Sequence, residues 1–171
     1  MKIPVVNAQF NVYVDGGQKL LGLAEATLPS FEGLTETLRG AGIMGEMEIV
    51  APGQFSALTL SMSFRMFYGD PLNFAVGKVY HFDLRSAMQM EDSTSYEQSV
   101  VRERYSCMGQ IKVINPGTRK VVGFSDASID AAVRRVEHFV DGKKVLEFDP
   151  LNDIYLANGV DIYKDIRAAI S

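Results

Sequence analysis

Four stretches of this chain alternate apolar and polar side chains over a distance that few strands need. In 58–66, Leu58, Leu60, Met62, Phe64 and Met66 fall on one side, and Thr59, Ser61, Ser63 and Arg65 on the other. In 79–90, Tyr80, Phe82, Leu84, Met88 and Met90 oppose Val79, His81, Asp83, Arg85 and Gln89. In 99–114, Val101, Tyr105, Cys107, Ile111 and Val113 oppose Arg102, Arg104, Ser106, Gln110 and Lys112. The fourth run, 127–140, holds Ile129, Ala131 and Val133 in register up to Arg134-Arg135, then switches to Val136, His138 and Val140. A side-chain period of two means a strand with one dry face. A slip of one residue in mid-strand predicts a β-bulge at Arg134-Arg135.

Three or four of these runs reach roughly 10–15 residues where a strand usually has about 5–6. At about 3.3 Å per residue the longest spans on the order of 45 Å. Such strands leave long, flat edges, a hazard that a solitary molecule must blunt and an assembly can close. None of the four contains a proline, and their polar faces are mostly Ser, Thr and Gln with scattered charges. The pattern allows edge-to-edge closure with further copies, and a head-to-tail contact that closes makes a ring.

The 171 residues suffice for one well-cored domain. Hydrophobic residues at 47% argue against disorder, and a net charge of −4 gives no basic footprint for holding nucleic acid. The single cysteine, Cys107, excludes an internal disulfide framework and fits a reducing compartment of synthesis. The opening MKIPVVNAQF is too short in apolar residues for a signal peptide, and no run approaches a membrane span. A soluble chain made in the cytosol is expected.

In order along the chain, residues 1–9 read as an N-terminal arm rather than a packed element, with Pro4 inside it. Phe10, Val12 and Val14 begin a strand, Asp15-Gly16-Gly17 turns it, and a return strand from Lys19 to Leu28 halts at Pro29. Residues 30–54 form a long glycine-rich loop in which 35–38 and 47–50 make a short two-stranded excursion. Ile43, Met44, Met47 and Ile49 are too apolar for a solvated linker, so a contact surface is favoured over plain core packing. Asp70-Pro71 predicts a short helix ending at Gly77. Asn115-Pro116-Gly117 closes the third long strand, and Asp141-Gly142 turns the fourth into 143–148. The C-terminal segment, 150–171, ends in a helix over 162–170. The fold class is mainly β, sandwich- or barrel-like, with one or two short helices.

Several motifs resemble one family. TLPSFEGLTETLRGAGIMGEMEI followed by SALTLSMSF, the opening FNVYVDGG, and the closing LEFDPLNDIYLANGVDIYKDIRAAI are similar to the major tail tube proteins of contractile-tailed bacteriophages and bacteriocin-type phage-tail-like particles. The resemblance is weaker over 67–99. It implies a structural subunit, with no catalysis and no cofactor, whose strands merge into an inter-subunit barrel. It further implies hexameric rings stacked into a tube that passes DNA or ions, in the tail of a virion or tail-like particle. A tail sheath protein and baseplate and terminator proteins are the implied partners, with no membrane. The 30–54 loop would reach the adjacent ring, with Leu34, Arg39, Gly40, Gly42, Ile43, Met44, Gly45 and Met47 as its candidate assembly residues.

The chemistry-bearing residues favour no enzyme. RGAGIMG lacks the Lys-Ser/Thr ending of a phosphate-binding loop and opens no helix. His81 and Asp83 share a face, but no serine elbow or second histidine accompanies them, so a hydrogen-bonded strand histidine is expected. Two histidines without a carboxylate or cysteine cluster make a poor metal site. Cys107 reads as a buried, inert thiol. Arg65, Arg85, Arg102, Arg104, Arg134 and Arg135 form either a basic stripe for DNA or cross-strand pairs with Asp83, Glu103, Asp130 and Glu137, and pairing is favoured. The rival reading from another class is a monomeric β-barrel that binds a small ligand in an apolar interior. A hydrolase on a β scaffold is the third, and the scarcity of catalytic groups argues against it.

Overall fold

Burial follows the period-two pattern most closely in β6 (Leu58–Phe64), where Leu58, Leu60, Met62 and Phe64 are buried and the residues between them are not. In this computed structural model, which describes residues 1–20, 22–66 and 74–171, β6 pairs with β3 (Leu23–Thr27) on one edge and β9 (Ala127–Val140) on the other. From β9 the sheet continues through β8 (Gln98–Asn115), β7 (Val79–Asp92) and β1 (Lys2–Val14) to the two residues of β2 (Gln18–Lys19). In the other direction β9 pairs with β10 (Lys143–Asp149), then β11 (Ile154–Ala157) and β12 (Val160–Asp161). All pairs are antiparallel. A separate hairpin joins β4 (Gly33–Leu38) to β5 (Met47–Phe55), and α1 (Lys164–Ile170) closes the chain.

The predicted bulge is present. Met108 of β8 faces Arg135 and Gly109 faces Val133, so Arg134 is the extra residue. It has an architectural consequence. Up to Val133 the outer edge of β9 pairs with β6, and from Val136 onward the same edge pairs with β10. One long strand thus serves two branches of the sheet. The sheet curls so that the inner faces of both branches share one core, in which Val12, Leu60, Met62, Phe82, Cys107, Ile129, Ala131 and Val136 are fully buried. Gly109 is needed where the curl is tight. A Cβ there would lie 3.1 Å from the Ala131 Cβ and 3.4 Å from the Phe82 ring.

Several expectations are corrected. Residues 2–9 are not a loose arm: they continue β1 and bond to β7 from Lys2↔Asp92 onward, with bulges at Pro4/Val6 and Asn7/Gln9 that accommodate the proline. The return strand is broken at Gly22, and only Gln18 and Lys19 pair with β1 while β3 crosses to β6. The run from Leu58 ends at Phe64, because the Arg65 carbonyl is taken by the Ser125 N–H and hydroxyl, and Met66 is exposed. In β8 a second shift between Ile111 and Val113 turns Val113 outward, 42% exposed, and Ile114 packs on the core instead. Of the helix expected over 70–77, residues 70–73 lie outside the described residues, and 74–77 are not helical, with a turn at 76–77. The C-terminal helix begins at Lys164 rather than residue 162.

The sheet does not close on itself among the described residues, since β12 and β2 end its order. A barrel with an open apolar interior, as the ligand-binding reading requires, is therefore not what these strands build. Beyond Leu84, Tyr105 and Val136 the strands β1, β7, β8 and the β9–β10 hairpin run on past the core. The extension covers about six or seven residues, or roughly 20 Å.

Candidate assembly surfaces

The β4–β5 hairpin is an arm fixed at its base and bare along its length. At the base, the ring centroids of Phe55 lie 5.3 Å from Phe31, 5.1 Å from Phe148 and 5.1 Å from Tyr155, all edge to face. Gly53, at φ +70°, admits the Tyr163 ring so closely that a Cβ would meet it at 2.7 Å. This contact ties the chain's closing segment to the arm. Farther out, the register pairs Leu38 with Met47 and Glu36 with Ile49, so Leu34, Leu38, Met47 and Ile49 form one stripe beside Glu36. Thr35, Thr37, Glu48 and Val50 occupy the other face. All four stripe residues are exposed.

The structure brings the sequence-derived candidates together on this one hairpin. Leu34 and Met47 stand on its strands, and the rest build its tip. Arg39 pairs with Glu46 at 3.1 Å, and the Ile43 N–H donates to the Gly40 carbonyl at 3.1 Å. Gly42 and Gly45 adopt φ +93° and +97°, which a side chain would resist. Ile43 is half-buried, whereas Met44 is completely exposed at 104%. None of these residues belongs to the subunit's own core.

A second surface went unnoticed in the sequence. The outer edge of β1 takes only β2 at Tyr13 and Val14 and the Leu20 N–H at the Val12 carbonyl. From Lys2 to Asn11 that edge has no strand beside it among the described residues, and Ile3, Val5 and Val6 are exposed. The signal was present in the apolar residues around Pro4, but the proline masked it.

The polar face of the long strands is charged yet internally balanced. Asp83, 2% exposed, accepts Arg85 Nε at 2.8 Å and Nη2 at 2.6 Å, and Arg104 Nε at 2.5 Å. The two guanidinium groups also lie over aromatic rings, Arg85 over Tyr13 at 4.7 Å and Arg104 over Phe139 at 5.6 Å. Farther along, Arg135 donates to Glu137 at 3.2 Å and Glu147 at 2.9 Å, and Lys144 reaches the same two carboxylates at 2.7 and 2.8 Å. Hydrogen bonds from Lys144 and Arg135 hold the Glu147 carboxyl below its usual range, and the bonds to Glu147 and Glu137 raise Arg135 and Lys144. Of the six arginines, Arg85, Arg104 and Arg135 are paired as expected, whereas Arg65, Arg102 and Arg134 form no ion pair among the described residues. Two of the expected acidic partners are otherwise engaged or unpaired. Glu103 projects to the opposite face from Arg102 and Arg104, and there it accepts Ser86 and meets His138 Nε2 at 2.9 Å. Asp130 makes no ion pair among the described residues, and Arg134, the bulged residue, donates to Gln110 at 2.6 Å.

The remaining chemistry-bearing groups are occupied in the fold. His81 Nε2 lies 2.6 Å from Ser106 Oγ, so it is engaged with a hydroxyl while Asp83 serves the arginines. His138 stacks on Tyr105 with ring centroids 3.9 Å apart. Burial pushes the Cys107 thiol up to about 12, far from a nucleophile's range. Among the described residues no cluster of His, Cys, Asp and Glu could hold a metal, and no helix is long and apolar enough to cross a membrane.

A family model for phage tail tube protein FII matches residues 7–170. The chain belongs to this family. As a tail tube protein it is a structural subunit of a phage tail or phage-tail-like particle. Two solved structures share its fold. One is the sheath/tube terminator of an extracellular contractile injection system, PVC, in the extended state, with TM-score 0.55, 12% identity, and 80% of this chain and 97% of that one covered. The other is a chain of the PVC sheath-tube complex, also extended, with TM-score 0.51, 14% identity, and 80% and 91% covered. A comparison with curated proteins finds no match. The mainly antiparallel β fold with one short helix agrees with the sequence-based fold class.

Proposed function

We propose that this tail tube subunit closes edge to edge into a hexameric ring and that the rings stack into the inner tube of a contractile apparatus. The observation that carries the reading is the strandless outer edge of β1, Lys2–Asn11, beside an apolar arm that its own core leaves uncovered. Edge pairing with a neighbour would satisfy the first. Burial in the next ring through Leu34, Leu38, Met44, Met47 and Ile49 would satisfy the second. The arm's tip residues, Arg39, Gly40, Gly42, Ile43 and Gly45, would then set the shape that the next ring receives.

In this reading the polar face of β7, β8 and β9 lines the bore. Each phosphate neutralised by a fixed cation adds salt-dependent affinity, so a conduit for DNA must not present free cations. Asp83, Glu137 and Glu147 pair with Arg85, Arg104, Arg135 and Lys144 on that face, which lowers the free cation density that a channel for DNA or ions would present. Arg102, Lys112 and Arg134 form no ion pair among the described residues. The subunit acts without cofactor or catalysis, assembles in the host cytoplasm, and meets a sheath protein outside and terminator and baseplate proteins at the tube's ends.

Electron microscopy of the purified protein tests this. Rings or tubes with an open axial channel are expected. A compact monomer at micromolar concentration that takes up a small apolar ligand would overturn the reading in favour of a binding protein.

A further inference from the structure

We propose that the loop 116–126 is the surface on which the β4–β5 arm of a second copy docks. This rests on the stacking reading above and names the receiving side of that contact. The loop and the arm lie at opposite ends of β6. The arm's base leads directly into Leu58, and at the other end the Arg65 carbonyl accepts the Ser125 N–H at 2.9 Å while Arg65 lies over the Phe124 ring at 5.2 Å. Seven residues of β6 separate their attachment points by about 20 Å. No hydrogen bond, ion pair or ring contact joins them within the molecule among the described residues, and a contact between molecules is head-to-tail, so it repeats.

The loop is built to present its tip. Ser125 is buried, its carbonyl accepts the Thr118 N–H at 2.8 Å, and Gly117, at φ +73°, passes so near that a Cβ would lie 1.8 Å from the Ser125 oxygen. Above this base Val121 and Val122 are 95% and 101% exposed, and Phe124 is exposed beside them. Val122 adopts φ +53°, a left-handed conformation that is costly for a β-branched residue.

Charge identifies the occupant. Arg119 and Lys120 immediately precede the valines and form no ion pair among the described residues. On the arm, Glu46 is paired with Arg39, but Glu36 and Glu48 have no basic partner among the described residues. The arm thus offers one unpaired carboxylate, Glu36, beside its apolar stripe and a second, Glu48, on its other face, to an apolar tip that follows two unpaired cations. Complementary patches of this kind fix register and reject wrong partners.

The test uses the full chain under conditions where the wild type forms tubes. Met44→Cys and Val122→Cys subunits are mixed, assembled and treated with a short bis-maleimide; Cys107 is buried and does not react. Covalent dimers joining the two variants are expected. Arg119→Glu with Lys120→Glu should slow tube growth by about tenfold or more, and adding Glu36→Lys and Glu48→Lys to the same chain should restore it. Circular dichroism of each dilute variant should match the wild type. If wild-type tubes grow but no cross-link forms and the loop reversal grows normally, this docking is wrong and the tube reading stands. If the wild type makes neither rings nor tubes, both fall.

Discussion

Two parts of this subunit project past its core, and they are finished in opposite ways. The β4–β5 arm carries Leu34, Leu38, Met47 and Ile49 uncovered, with a single ion pair at its tip. The extended half of the long sheet carries many charges, and on its polar face Arg85, Arg104, Arg135 and Lys144 are paired with Asp83, Glu137 and Glu147 within the chain, while Arg102 forms no ion pair among the described residues. Uncovered apolar surface lowers its free energy only by burial against something else. Paired charge needs nothing from outside. The contrast separates a surface made to stick from one made to let go.

The largest effect should come from spoiling the sticking surface. Met44→Asp places a carboxylate where burial is expected, and tubes should vanish in electron micrographs. The dilute subunit should lose no more than about 0.5 kcal/mol in urea unfolding, since Met44 touches none of its core. Tubes that still form would remove the arm from assembly. Next, Phe55→Ala empties the aromatic base shared with Phe31, Phe148 and Tyr155. A loss of about 3 kcal/mol in urea unfolding is expected, together with weakened assembly, because the arm would lose its fixed angle. A change within error would mean that the base does not hold the arm.

The letting-go surface should respond more quietly. Asp83→Asn leaves Arg85 and Arg104 without their shared carboxylate. Both guanidinium groups are about half exposed, so solvent screens much of the loss, and about 1–2 kcal/mol of destabilisation is expected. The sharper readout is retention of single- or double-stranded DNA by assembled tubes at low salt, which should rise and then disappear as salt is added. The smallest effect is on pH dependence. Glu147 titrates below its usual 4.5 when folded, so its stabilisation is present above that value and fades as acid carries the pH through the lowered one. Lys144 is raised above 10.5, so its part is present below that value and is lost as pH rises through the raised one. The Arg135–Lys144–Glu137–Glu147 cluster should therefore keep stability flat from about pH 5 to 10, as urea midpoints across that range would check.

How legible these regions were depended on whether the apolar pattern changed where the backbone did. The bulge at Arg134 was readable because polar Arg134-Arg135 separates two apolar registers. The shift in β8 was hidden, since both Val113 and Ile114 are apolar and either fits the expected face. The arm was readable as a surface because its hydrophobic residues sit among glycines that supply no core partner. The β1 edge was missed, because Pro4 argued for an arm and the bulges that accommodate it leave no mark in composition. The partners of Asp83 followed from strand alternation, whereas those of Glu103 did not, because sequence proximity to Arg102 and Arg104 conceals that they face opposite ways. Loop 116–126 reads as an ordinary turn until its tip is seen standing clear of the core.

Residue-resolved hydrogen exchange of the amides from Lys2 to Asn11, in dilute subunits and in assembled tubes, bears most directly on closure through open edges. Amides on the outer edge of β1 should exchange quickly in the dilute subunit, beside slow partners bonded to β7, and become protected on assembly. Full protection of that edge in the dilute subunit, or none gained in the tube, would contradict the account.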